Sequence, residues 1–228
     1  MTAPFQSPSP VAPRPSSLTT APCLIYFIRH GQTAQNTAKR FQGHSDTDLD
    51  ETGRWQSGRV ARRLAGYGIS AIYTSDLARA RQTAEPLETL LGVVARPRID
   101  LREIDVGSAT GLTKHDLRER HPALFGDGWH RVPFPGGESY DETAARMSRA
   151  AREIAAAHGG QRIAVVTHGG AIRGAISGLV GIPIETLAGL FVMNTSITSI
   201  AIEDDGAGKL RGLNDAAHLE AWAEALLD

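Results

Sequence analysis

The stretch Leu24-Ile25-Tyr26-Phe27-Ile28-Arg29-His30-Gly31 is an apolar run that ends in an arginine, a histidine and a glycine. A second run, Ile163-Ala164-Val165-Val166-Thr167, ends in His168-Gly169-Gly170. Each run predicts a buried strand. Ligands of open α/β sheets bind beyond the carboxyl ends of the strands, so we expect the two histidines to converge on one crevice. An imidazole beside a guanidinium in such a crevice suggests an anion site.

Strand and helix patterns alternate along the rest of the chain. We predict further strands at residues 71–74, at 93–99 as a sheet edge marked by Pro97, and as a late pair at 190–194 and 196–202. Helices are predicted at 51–65, from N-caps at Ser75 and Asp76 to about Leu91, from a capping box at Ser139 to about Ala157, from about Ala171, and at 216–227. This alternation predicts an α/β fold with a mainly parallel central sheet and helices on both faces.

The 228 residues predict one domain at 23–228 behind an N-terminal tail, residues 1–22, whose Pro, Ser, Thr and Ala content predicts flexibility. The formal net charge of −1 gives no general attraction to nucleic acid or to acidic membranes, so we expect neither as a partner. Nothing in the sequence indicates an oligomeric state.

We expect a cytoplasmic protein. The single cysteine, Cys23, excludes an internal disulfide and is predicted to be a buried, inert thiol. The N-terminus lacks the pattern of a secretory signal, and no apolar run approaches the roughly 20 residues that a membrane helix needs.

Four separated segments carry polar groups at predicted strand ends or helix starts, namely 29–36, 73–83, 101–107 and 166–170. If they converge, two guanidinium groups and two imidazoles surround one spot that suits a phosphate monoester. The glycines Gly31, Gly169 and Gly170 allow backbone N–H groups to approach such an anion closely. Glu103 is the candidate acid for the leaving group, and Asp105 is its rival. Surface or loop positions are predicted for His44, His115, His121, His130 and His158, whereas His218 is predicted to pack against the last helix.

The motifs occur in an order that resembles the histidine phosphatase superfamily, in its phosphoglycerate-mutase-like branch. They are Arg29-His30-Gly31, Phe41 through Asp46 with Leu49 and Gly53, Ser75 through Ala84, Leu101-Arg102-Glu103 with Gly107, Gly111-Leu112, Pro135 through Ser139, and His168-Gly169-Gly170. The ordered set is far more specific than any one member. The resemblance implies the fold predicted above and a metal-independent enzyme that needs no cofactor.

The resemblance also implies a role for each matching residue. His30 is the expected nucleophile, Glu103 the proton donor and later the base. Arg29, Arg79 and His168 are expected to hold the phosphoryl oxygens. The remaining residues expected to bind phosphate or substrate are Asn36, Gln42, Gly43, Lys114 and Gly169.

The expected activity is hydrolysis of a small phosphorylated metabolite through a phosphohistidine. The alternatives are a cofactor-dependent phosphoglycerate mutase and a catalytically silent phosphate-binding module. The related mutases carry a Tyr where this chain has Val106, an Asn where it has Gly170, and an Arg pair that residues 111–137 lack. Lys114 does match a mutase substrate lysine.

Two further segments need an interpretation. Residues 122–137 hold three prolines and are predicted to form a lid or substrate wall, in which Trp129 and Phe134 either line the pocket or simply pack. The aspartates at 46, 48 and 50 superficially resemble a calcium loop. That loop would need Gly and Glu at the positions of Glu51 and Ser57, so no metal site is predicted.

Overall fold

The fold consists of a central sheet between two layers of helices, in a computed structural model that describes residues 21–220. Nearly all of the predicted tail lies outside the described residues, as does the last helix beyond residue 220. At the start of that predicted helix, Ala217–Leu219 form a 3-10 turn. No helix among the described residues is long and apolar enough to cross a membrane.

The sheet has six strands within residues 21–220, in the order β3-β2-β4-β1-β5-β6. The four strands β3, β2, β4 and β1 run parallel, β5 is antiparallel to β1, and β6 is antiparallel to β5. The mainly parallel sheet is therefore confirmed. The strands are β1 (Cys23–Arg29), β2 (Ala71–Ser75), β3 (Arg96–Arg98), β4 (Arg162–Thr167), β5 (Ile197–Ile202) and β6 (Gly208–Asp215).

Helices cover both faces of the sheet because the side chains of each strand alternate between them. Ile25 and Phe27 pack with the fifth and sixth helices, whereas Tyr26 and Ile28 pack with the second and third. The predicted layers and the capping box at Ser139 are confirmed. The helices are α1 (Ala34–Thr37), α2 (Glu51–Leu64), α3 (Ala78–Leu91), α4 (Lys114–Arg120), α5 (Tyr140–Ala157) and α6 (Gly169–Val180).

The predicted strand at residues 190–194 is wrong. Its carbonyl groups instead accept hydrogen bonds from arginines: Arg173 donates to Leu190 and Arg29 to Val192. The partner of β5 is β6, whose alternation of half-buried and exposed residues contains no apolar run to reveal it. The edge strand β3 at Pro97 is confirmed but is shorter than predicted.

The N-cap predicted at Ser75 and Asp76 is also wrong. α3 begins at Ala78, whose backbone N–H donates to the Oδ1 atom of Asp46 at 2.6 Å. Asp76 instead receives two hydrogen bonds from Arg102. Asp50 caps α2, so two of the three aspartates at 46, 48 and 50 serve helix starts.

Cys23 lies at the start of β1 with 2% of its surface exposed. The predicted burial is therefore confirmed, and burial raises the pKa of the thiol to about 11, which disfavours the reactive thiolate.

Candidate active site

His30 and His168 meet at the carboxyl end of the sheet because β1 and β4 are adjacent and parallel. Each histidine directly follows its strand, and the two ring centroids lie 5.2 Å apart. Both side chains are buried. The predicted convergence is therefore present, and we call Arg29, His30, Arg79, Glu103 and His168 together the two-histidine site.

The His30 ring is held by its own loop. Its Nδ1 atom lies 2.7 Å from the carbonyl oxygen of Gly31, to which it can only donate, so Nε2 carries the lone pair in the neutral ring. The Asn194 side chain donates to the His30 carbonyl at 2.9 Å, and Thr83 accepts from the Gly31 N–H. Burial, followed by the charges of Arg79 and Arg29, holds the pKa of His30 well below its usual value. The neutral ring thus presents the lone pair of its Nε2 atom.

His168 is fixed in the opposite tautomer. The Nε–H of Arg79 donates to its Nδ1 atom at 3.2 Å, which places the ring proton on Nε2. That Nε2 atom is buried and has no hydrogen-bond partner among the described residues. Burial is the main cause, with Arg79 next, of a His168 pKa well below the usual range. His168 therefore offers a free N–H donor.

Arg79 is fully buried on α3, one residue after the helix begins. Its Nη1 donates to the Ser45 carbonyl at 2.6 Å and its Nη2 to the Gly43 carbonyl at 2.8 Å. Burial lowers its pKa to about 10, so the guanidinium remains charged at neutral pH. Arg79 thereby holds the loop at residues 43–45 as well as His168.

Arg29 supplies a second, half-buried cation. Its Nη1 donates to the Val192 carbonyl at 2.6 Å, while its Nε is buried with no partner among the described residues. Burial lowers its pKa to about 10. A Cβ atom at position 169 would lie only 3.5 Å from that Nε, so Gly169 leaves room for an anion beside it.

Glu103 lies at the N-terminus of α6. Its carboxylate accepts from the backbone N–H groups of Ile104 at 2.9 Å, Gly170 at 3.1 Å and Ala171 at 3.0 Å. A helix N-terminus favours a carboxylate at this position. The rival acid, Asp105, instead accepts from the Gly107 N–H and faces His44.

Two residues missed in the sequence hold the Glu103 segment in place. Arg146 on α5 donates to the carbonyls of Asp100, Arg102 and Glu103. His44 lies 2.9 Å from the Glu103 carbonyl through Nε2. The prediction that His44 is a surface or loop residue therefore missed its contact with the site. No motif distinguished Arg146 from the other arginines of α5.

The other predicted residues lie around this centre with different functions. Asn36 accepts hydrogen bonds from Thr33 and Asn194 through its side-chain oxygen, which links it to the His30 loop.

Gly43 accepts hydrogen bonding from Arg79 through its carbonyl, and its φ of +47° favours glycine. Gln42 is buried next to it, and its Oε1 has no hydrogen-bond partner in the part of the chain that the structure describes. Lys114 stands at the start of α4, on the wall of a neighbouring cavity.

No group of three or more His, Cys, Asp or Glu side chains within residues 21–220 is placed to hold a metal ion. The site instead offers two guanidinium groups, an N–H donor and a neutral imidazole. A phosphoryl group matches this set, because its transfer depends mainly on positioning and charge neutralisation.

The model of the histidine phosphatase superfamily, branch 1, matches residues 25–216. The chain belongs to the histidine phosphatase superfamily. Phosphoglycerate mutase-like protein 4 of Arabidopsis thaliana is 35% identical over 203 residues, covering 86% of each chain. A metal-independent phosphoserine phosphatase of the same plant is 39% identical over 157 residues, 65% of each chain.

A solved structure of the mycobacterial glucosyl-3-phosphoglycerate phosphatase superposes with a TM-score of 0.77 at 30% identity. It covers 85% of this chain and 99% of that chain. The resemblance to the histidine phosphatase superfamily seen in the motifs is confirmed, as is the fold that it implied.

Proposed function

We propose that this chain is a phosphomonoester hydrolase that acts on a small phosphorylated metabolite through a phosphohistidine at His30. The proposal rests on an imidazole nitrogen with an available lone pair, close to N–H groups that lack a hydrogen-bond partner among the described residues. His30 offers its Nε2 lone pair, while the Nε–H of Arg29 and the Nε2–H of His168 are buried without partners among the described residues. Such donors are satisfied when phosphoryl oxygens occupy the site.

In the first step, the Nε2 atom of His30 attacks phosphorus and the bond from phosphorus to the ester oxygen breaks. Glu103 takes up a proton before this step and gives it to the departing oxygen, so the alcohol leaves neutral. Arg29, Arg79 and His168 neutralise the charge on the three remaining oxygens.

In the second step, the Glu103 carboxylate takes a proton from a water molecule that attacks the phosphohistidine. The bond from nitrogen to phosphorus breaks, inorganic phosphate leaves, and His30 recovers its lone pair. The proton returns to Glu103, so the cycle consumes one water per ester.

Position 170 favours hydrolysis over the mutase alternative. A side chain at Gly170 would collide with the Glu103 carboxylate and come within 3.2 Å of Ile104, so the Asn of the related mutases does not fit this arrangement. Val106, where those mutases carry Tyr, is buried in a small hydrophobic cluster with Leu117 and Phe134. The named phosphatases among the relatives support the same choice. Lys114 and a relative named as mutase-like keep phosphoglycerate mutase the second candidate.

The test measures inorganic phosphate released from a phosphomonoester panel and, separately, interconversion of 2- and 3-phosphoglycerate. We expect phosphate release that falls at least about 10⁴-fold in His30→Ala. His115→Ala is the matched control, because His115 is an exposed histidine that pairs with Glu119 on α4. Fast interconversion with little hydrolysis would show a mutase. No turnover of any ester would contradict the proposal and support the alternative of a catalytically silent phosphate-binding module.

A further inference from the structure

A cavity of about 380 Å³ opens beside the two-histidine site. Its walls come from Phe41 between α1 and α2, from α4, from the predicted wall at residues 122–137, from the start of α5, and from α6 with the segment after it. We call it the aromatic cavity because five of its lining side chains are aromatic: Phe41, Phe125, Trp129, Phe134 and Tyr140. The volume lies within the usual range for a small-molecule pocket, about 300–1,000 Å³.

The aromatic cavity is a neighbour of the two-histidine site. Phe41 lies two residues before Gly43, the residue whose carbonyl holds Arg79. Arg173, another lining residue, stands one turn after Gly170 on α6, where Glu103 is bound. The phenol of Tyr140 lies within electrostatic range of both Arg173 and Glu103. The cavity therefore lies next to Glu103, the proposed proton donor to the leaving alcohol.

The charge of the cavity is positive. Lys114 and Arg173 line it, and no aspartate or glutamate does so among the described residues. Arg173 donates through Nη1 to the Leu190 carbonyl at 3.3 Å, but its Nε is buried without a partner in residues 21–220. A ligand that brings a carboxylate would satisfy this donor and offset the two charges.

The wall that carries Trp129 is fixed in place. His130, 6% exposed, has Nδ1 at 2.9 Å from Asp141 and Nε2 at 2.6 Å from Glu185, so it ties the wall to α5 and to the segment before Thr186. His130, predicted to be a surface or loop residue, lies in a 3-10 turn of this wall and is buried. Trp129 also packs edge-on against Tyr140, with centroids 4.9 Å apart. The cavity is thus preformed, which reduces the ordering cost of binding.

We infer that the aromatic cavity selects phosphomonoesters whose alcohol part carries a flat aromatic group with a carboxylate on it. The ring packs among Trp129, Phe134 and Tyr140, and the carboxylate pairs with Arg173 or Lys114. This inference rests on the proposed function, because it places the phosphoryl group of the same ester at His30.

Three esters with similar leaving alcohols test the inference: propyl phosphate, 3-phenylpropyl phosphate and 3-(4-carboxyphenyl)propyl phosphate. Their leaving groups differ little in basicity, so differences in kcat/KM report binding of the distal group. We expect the phenyl ester to exceed propyl phosphate by at least about tenfold, since burial of an aromatic ring removes a large apolar surface from water. The carboxylated ester should exceed the phenyl ester by about threefold or more.

Variants assign these ratios to the cavity. Trp129→Ala and, independently, Phe125→Ala should lower the ratio of phenylpropyl to propyl ester at least fivefold. Lys114→Met and Arg173→Met should lower the ratio of carboxylated to plain phenyl ester. Trp55→Ala, a tryptophan on α2 far from the cavity lining, is the matched control and should retain both ratios.

The outcomes separate the two proposals. Comparable kcat/KM for propyl and phenylpropyl phosphate, with clear hydrolysis of both, would overturn the inference and leave the hydrolase intact. A carboxylated ester that is slower than the plain phenyl ester would overturn the charge assignment. No hydrolysis of any of the three, or of any other ester, would overturn the proposed function and with it the inference.

Discussion

The two-histidine site and the aromatic cavity lie side by side but are built from different parts of the chain. His30 and His168 follow two adjacent parallel strands, and both are at most 2% exposed. The aromatic cavity is lined from loops and helix starts between residues 41 and 188. One region fixes charges in a buried frame, whereas the other offers a partly open apolar surface. We infer that the first determines which reaction occurs and the second which alcohol leaves.

Among variants that keep His30, the largest effect is expected when the proton donor is removed from the two-histidine site. Glu103→Gln keeps one side-chain oxygen that can accept from the N–H groups of Ile104 and Ala171, loses the oxygen that accepts from Gly170, and cannot donate a carboxyl proton. We expect kcat for propyl phosphate to fall about 10²–10⁴-fold. Formation of the phosphohistidine from p-nitrophenyl phosphate should fall much less, because p-nitrophenolate leaves without a proton. Equal losses for the two esters in single-turnover measurements would contradict the role of Glu103 as acid.

An intermediate effect is expected from Arg146, which acts through Glu103. Arg146→Met removes the donors to three carbonyls in the Glu103 segment and the arginine partner of Glu138. We expect kcat for propyl phosphate to fall about tenfold with little change in KM, and the loss to be smaller for p-nitrophenyl phosphate.

The matched control for that variant is Arg152→Met on the same helix. Arg152 is exposed and donates to Gly178 and Gly206, away from the site. An Arg146→Met loss that is equal for both esters would indicate a general structural role rather than positioning of the acid.

The smallest expected effect concerns how the free energy of unfolding changes with pH. The pKa of His168 is held below its usual 6.5 by burial first, so the folded protein binds fewer protons than the unfolded chain below that pH. The free energy of unfolding should therefore fall as the pH drops below 6.5, by at most about 1.4 kcal/mol per pH unit for this group. His30 adds a second contribution of the same sign.

His168→Asn removes one of these titrations and retains a side-chain acceptor for Arg79. Urea unfolding at pH 7.0, 6.0 and 5.5 should give a shallower decline in the variant than in the wild-type protein. Equal slopes would show that His168 is not held neutral in the folded state.

The sequence predicted the two-histidine site better than its surroundings. Glycine after histidine at two strand ends is a local pattern, and β1 and β4 were recognisable from continuous apolar runs. β6 was missed because a polar edge strand lacks such a run. The strand predicted at 190–194 is absent because backbone carbonyls of this segment accept hydrogen bonds from two distant arginine side chains rather than from a neighbouring strand.

Residues that act across long sequence separations carried no local signal. Arg146 reaches Glu103 over 43 residues, and Asn194 reaches His30 over 164. The aromatic cavity is also assembled from residues far apart in the sequence. Of these, the sequence offers only Trp129 and Phe134 as candidates for lining a pocket. Tertiary packing alone decides which side chains meet there.

The most direct test of the central claim is to trap the phosphoryl group on the protein. The enzyme is mixed with a ³²P-labelled phosphomonoester, denatured within milliseconds under conditions that preserve phosphohistidine, and digested for mass spectrometry. We predict label on His30, absence of label in His30→Ala, and increased label in Glu103→Gln with p-nitrophenyl phosphate as donor, since water attack is slowed. Hydrolysis by the wild-type protein without label on His30, or undiminished hydrolysis in His30→Ala, would contradict the account.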